Sequence, residues 1–199
     1  GIITESKSGR GAILADRVVD ATGDADIVFF SGVPFRKFPK EEMLGVTGLF
    51  SCSGVDVKRF QAYVAEHPQT FGDWGENWDI KTTGKEDDLF SPYLEEPFRQ
   101  AREDGLIPPE LTSIGGTWSR LTQSGEAIGL NMVYMFGLDG TDVSDLTRGE
   151  MEGREQAMLA VEVLRRYVPG FEEANLRNFG MTLGTRDTRK VIGRYSLTE

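Results

Sequence analysis

The sequence predicts an α+β fold, with a mixed or antiparallel sheet and helices packed on it. Two observations carry that expectation. Short apolar or β-branched runs bounded by glycine turns alternate with amphipathic stretches of helical period, and their order is strand, strand, helix, strand, helices, strand, strand, long helix. In addition, 39% hydrophobic residues, including 12 Phe, 5 Tyr and 3 Trp in 199 residues, supply enough apolar surface to bury a core.

Ile2–Thr4 and Ala12–Asp20 read as the arms of a β-hairpin turned at Lys7-Ser8-Gly9-Arg10-Gly11, with Ile13, Leu14, Val18 and Val19 on the second arm. Asp24–Gly32 reads as a short helix closed by Gly32 and Pro34, and Val46–Gly54 as a strand. Asp56–Glu66 is amphipathic: Asp56 stands at the cap and Val57, Phe60 and Val64 on one face. Gln69–Leu89 is loop-like around Trp74 and Trp78. Ser91-Pro92 opens a helix whose stripe is Leu94, Phe98 and Ala101 and whose end is Gly105. Thr112–Leu121 and Ala127–Leu138 read as strands joined at Gln123-Ser124-Gly125, and Asp139–Asp142 as a turn.

The longest helix runs from Asp145 to Val168. Thr147 and Glu150 have capping-box spacing, and Met151, Met158, Val161, Leu164 and Val168 share a face. Gly149 and Gly153 in its first turns either permit close backbone approach or simply weaken the helix, by about 1 kcal/mol each. No repeat or linker marks a boundary, so residues 1–199 are expected to be a single partial domain. Residues 1–24 form the hairpin and the turn after it, and 25–199 the remainder. Both ends read as strand interiors, which is the expectation for a piece of a larger protein.

Charge and cofactor motifs narrow the function. A net charge of −10 repels phosphate backbones and anionic lipid, so neither nucleic acid nor a membrane is the expected partner. No apolar run reaches the roughly 18 residues of a membrane span. A lone cysteine, Cys52, excludes an internal disulfide and fits a reducing, cytoplasmic setting. It lies in an apolar strand without a basic neighbour, so a buried, inert thiol is the reading. A lone histidine, His67, excludes multi-histidine metal sites, and no metal site is expected elsewhere, since Glu86-Asp87-Asp88 lacks calcium-loop spacing. No G-x-G-x-x-G, Walker A, C-x-x-C or G-x-S-x-G motif occurs.

Residues 67–110 carry 11 acids and 4 bases, an ordinary solvated acidic surface unless two of its carboxylates face one pocket. Against this background Arg177, Arg186, Arg189, Lys190 and Arg194, with only Asp187 opposing them, make residues 177–194 locally +4. Such a cluster is either an anion site or a set of pairs with neighbouring acids. A structural arginine is expected to meet an internal carboxylate, and a functional one to be left unpaired.

Two segments resemble a known family, the FAD-dependent oxidoreductases related to the glutathione reductase and fumarate reductase flavoproteins. Gly11 to Asp26 resembles that family's second flavin-associated motif, in which a hairpin returns to an Ala-Thr-Gly turn, here Ala21-Thr22-Gly23. Leu183 to Gly193 is similar to the Gly-x-Arg-Glu-Ser-Arg-Arg element of one bacterial branch, with Asp187 and Thr188 replacing Glu and Ser. Asp139-Gly140-Thr141-Asp142, Gly153-Arg154-Glu155-Gln156 and Pro169-Gly170-Phe171 fit the same branch.

The resemblance implies the substrate-side domain of a flavin-dependent oxidoreductase, with FAD in the full-length enzyme and not retained by this chain alone. Ala21, Thr22, Gly23 and Asp24 would line the cofactor. Arg186 and Arg189 would bind a small anionic substrate or stabilise charge near the ring. Self-association is expected as well, through apolar surface near Val18–Val19 and Val191–Leu197. The competing expectations are a non-catalytic ligand-binding or interaction module, and a hydrolase using two carboxylates from residues 73–104.

Overall fold

The computed structural model describes residues 1–66, 94–115 and 120–195. Its strands are β1 (Ile2–Ser6), β2 (Gly9–Ile13), β3 (Phe35–Arg36), β4 (Val46–Ser53), β5 (Arg120–Leu121), β6 (Ala127–Met135), β7 (Asn175–Phe179) and β8 (Lys190–Val191). Its α-helices are α1 (Asp26–Phe30), α2 (Val57–Glu66), α3 (Glu95–Glu103) and α4 (Val143–Tyr167). Every strand pairing is antiparallel, so the fold is α+β as the sequence predicts. The chain divides into two compact units, Lys40–Asp187 and Gly1–Pro39 with Thr188–Glu199.

The larger unit is a four-stranded sheet in the order β5-β6-β4-β7. Its core joins Phe50 and Cys52 of β4, Leu130, Met132 and Val133 of β6, Phe60 and Val64 of α2, Leu94, Phe98 and Ala101 by α3, and the buried line of α4. That line is Gly149, Gly153, Ala157, Ala160 and Leu164, whereas Met151 and Met158 lie exposed. Small residues win the inner face because sheet and helix come very close there. A Cβ on Gly149 would stand 2.8 Å from the Leu183 Cδ1, and one on Gly48 would stand 3.8 Å from the Gly153 Cα. The close-approach reading of the two helix glycines is therefore the correct one.

Two local expectations need correcting. The cap of α4 is Asp142, whose carboxylate accepts the amides of Ser144 (2.7 Å) and Asp145 (3.4 Å). Thr147 Oγ1 instead donates back to the Val143 carbonyl (2.8 Å), inside the helix. Residues 112–114 are turn and coil rather than strand. The Arg102 guanidinium gathers the carbonyls of Leu111, Thr112 and Ile114, so these cannot join a ladder. Residues 116–119, including Trp118, lie outside the described residues, as do His67, Trp74, Trp78, Glu86-Asp87-Asp88 and Ser91-Pro92.

The smaller unit holds the β1–β2 hairpin, which turns at Lys7-Ser8 with Gly9 at φ +98°, then α1, and the β3–β8 pair. The second arm ends at Ile13, so Leu14–Asp20 is not strand. Val18, Val19, Val191 and Ile192 are exposed, together with Ile3 and Leu14.

Candidate functional site

The smaller unit shapes the Ala21-Thr22-Gly23 turn through Asp20. One oxygen of its carboxylate accepts the Thr22 amide (3.0 Å) and hydroxyl (2.7 Å), and the other accepts the Val28 amide (2.9 Å). The Thr22 hydroxyl in turn accepts the Asp26 amide at 3.0 Å. These bonds hold the Asp20 carboxyl below the usual carboxylate range, the Thr22 amide contributing most. The hydroxyl of Thr22 is thus spent internally, and what the turn offers outward is backbone. Ala21, Thr22 and Gly23 are exposed, and a Cβ placed on Gly23 (φ +87°) would meet nothing within 4 Å. Ala25 follows at φ +56°, the one non-glycine positive φ among the described residues.

Arg189 meets this turn from the far end of the chain. Its Nη1 donates to the Asp24 carbonyl (3.0 Å) and to Asp26 Oδ1 (2.7 Å), and its guanidinium lies 4.3 Å from the Phe29 ring centre. The side chain is only 8% exposed. A weakly hydrated guanidinium that meets an aromatic ring while donating from one nitrogen to two acceptors suits Arg better than Lys. Asp24 and Arg189 are brought together, and Arg189 has the internal carboxylate that marks a structural role.

Arg186 lies in the larger unit and differs on each point. It is exposed and makes no hydrogen bond or ion pair among the described residues. Its segment is pinned at Gly184, which exchanges two backbone hydrogen bonds with Thr47 (2.8 and 3.1 Å). A side chain on Gly184 would run into the Thr47 hydroxyl. In the same unit a shallow groove is lined by Gly48, Gly153, Phe179, Thr182 and the Glu150–Arg154 ion pair (3.0 Å). Of the other cations in the basic cluster, Arg177 pairs with Glu126 at 2.9 Å and Lys190 lies 4.6 Å from the Phe38 ring centre.

The remaining chemical groups are structural. Cys52 is fully buried and burial pushes its thiol up to about 12, which leaves it inert. Asp145 receives Lys40 (2.5 Å), Arg148 (3.0 Å) and the Asp139 amide (2.9 Å), and Lys40 foremost holds it well below the usual carboxylate range. Among the described residues no group of His, Cys, Asp or Glu forms a metal cluster, and no helix is long and apolar enough to cross a membrane. Of residues 73–104, from which a hydrolase would draw two carboxylates, 73–93 lie outside the described residues, and the described Glu96 and Glu103 both pair with Arg99.

Sequence reasoning missed Asp20 and Thr47. The first had a signal. Asp20-Ala21-Thr22 and Asp139-Gly140-Thr141 share the Asp-x-Thr pattern in which a carboxylate accepts the amide and hydroxyl two residues on, and both do so here at nearly equal distances. The second is a long-range contact with no local signature. Compared with known proteins, the chain matches over residues 1–199 the family model described as FAD dependent oxidoreductase. No curated protein and no solved structure matches it.

Proposed function

The chain belongs to the FAD-dependent oxidoreductase family, and from that premise we propose that it is the substrate-side part of a flavin enzyme acting on a small anionic molecule. The residues present fit an edge of the cofactor. A turn whose side chains are small, whose one hydroxyl is satisfied internally and whose Gly23 faces open space lets a flat ring reach the backbone. Ala21, Thr22, Gly23 and Asp24 would hold FAD there, with weak retention by these 199 residues alone. The bound flavin supplies hydride transfer at its N5.

What the chain adds is binding and orientation. Arg186 holds the substrate's negative group by charge-assisted hydrogen bonds, while Arg189 keeps its charge for Asp26. The observation that supports this division is the contrast between one exposed guanidinium with no partner among the described residues and one that is 8% exposed and ion-paired. A small molecule in a cytoplasmic setting is the partner, and the exposed apolar residues of the smaller unit mediate self-association.

The test is Arg186→Ala in the flavin-loaded enzyme, assayed for flavin reduction against a panel of small mono- and dicarboxylates. KM is expected to rise at least about tenfold, the loss of one charge-assisted contact, with the melting temperature unchanged. Normal kinetics with lowered stability would assign Arg186 to the scaffold.

A further inference from the structure

We infer that Asp20 and Arg189 are paired positioning residues, which clamp the Ala21–Asp24 turn from its two ends in the shape that meets the cofactor. The inference rests on the proposed placement of that turn against the flavin.

The turn is not one that the backbone adopts readily. Ala25 stands in the left-handed region, which disfavours any side chain with a Cβ, and Gly23 shares a positive φ. Little apolar packing holds the turn itself, since only Ala25 among Asp20–Phe30 is buried, although the Phe29 ring meets those of Phe30 and Phe35. What holds them is polar and two-sided. Asp20 takes the amides of Thr22 and Val28 and the Thr22 hydroxyl, so one carboxylate spans the whole turn up to the first residues of α1. Arg189 takes the Asp24 carbonyl and the Asp26 carboxylate from β8's side, with Phe29 beneath its plane.

Among the described residues each clamp residue directs its hydrogen bonds at the turn or α1, Asp20 through both carboxylate oxygens and Arg189 through Nη1. Both act through the backbone they fix. The Asp20 carboxyl is held below the usual carboxylate range, which accords with this, because its bonds favour the charged form.

Two variants separate the clamp from the cofactor contact. Asp20→Asn keeps an acceptor for Thr22 but turns a donor towards the Val28 amide. Thr22→Val removes the hydroxyl that links Asp20 to the Asp26 amide, and keeps the test alive should Asp20→Asn fail to fold. Hydrogen exchange at the Thr22, Asp26 and Val28 amides is measured without FAD. FAD affinity, by quenching of flavin fluorescence, and the visible spectrum of the bound flavin are then measured on the holoenzyme.

Exchange is expected to quicken at least about tenfold at the amides released, and FAD affinity to fall by a similar factor with an altered spectrum. Unchanged exchange overturns the clamp, whatever FAD does. Faster exchange with unchanged affinity and spectrum overturns the inference differently: the clamp exists, and the turn it holds does not meet the flavin.

Discussion

All of the hydrophobic core lies within Lys40–Asp187, whereas the described residues of Gly1–Pro39 and Thr188–Glu199 bury only Ala25 and Thr188. The larger unit is ordered by interdigitating side chains around β4, β6 and α4. The smaller one is ordered by the Asp20 carboxylate, which accepts two backbone amides, and by the Arg189 guanidinium, which joins the Asp24 carbonyl to the Asp26 carboxylate. Apolar packing fixes a shape without needing particular atoms to meet, so it tolerates volume-conserving change. A polar clamp fixes a particular backbone conformation and fails when one acceptor is lost. The contrast teaches why the smaller unit carries the turn assigned to the cofactor: it presents backbone rather than a packed surface.

The largest effect expected from that contrast is in the core. Phe60 is fully buried, edge-on to Phe171 at 5.0 Å, and Phe60→Ala should cost about 3–5 kcal/mol in denaturant unfolding. Phe30 is 80% exposed, and Phe30→Ala should cost less than about 0.5 kcal/mol. Equal costs would break the comparison.

Next comes the larger unit's own polar centre. Asp145→Asn removes the carboxylate that Lys40 and Arg148 share, leaving Arg148 with Glu152 and the Gly137 carbonyl, and should cost about 2 kcal/mol at neutral pH, less than a fully buried pair because both cations are part-exposed. The sign with pH follows from the direction of the shift. A carboxyl held below its unfolded value, about 3.9, stabilises fully above that value and loses the contribution as pH falls from there through its lower folded value. Wild type and variant should therefore converge in acid unfolding, and a constant gap down to low pH would show that the charge is not what matters.

The smallest effect sharpens the account of the clamp. Ala25→Gly relieves a positive φ of 56° and should stabilise by about 0.5 kcal/mol despite the lost methyl and the added chain entropy. Destabilisation would mean that the buried methyl outweighs the strain.

Fold class and most elements were legible in the residues because period and turn chemistry are local. The hairpin, the β4 strand and α2 follow from alternation, a glycine turn or a capping acid, and α4 from its helical period, although its cap is Asp142 rather than the expected Thr147. Legibility fails where a distant group decides. Arg102 claims carbonyls in residues 111–114 that otherwise read as strand, and Leu138 and Leu183 turn Gly149 into an inward-facing residue. The same holds at the site. Charge pattern singled out Arg186 and Arg189 together, but only the fold separates them, since Asp26 lies 163 residues from Arg189 in sequence.

The bridge between Thr47 and Gly184 gives Arg186 a leash of fixed length. The arginine stands two positions after the pinned glycine, and two residue steps of backbone span at most about 7 Å however they are drawn out. The positive charge is therefore anchored to the sheet and free only within a small sphere around it, whatever the surrounding coil does. Lengthening the leash by a single inserted residue would widen that sphere without altering any side chain, so reach and charge become separately adjustable properties of one short segment.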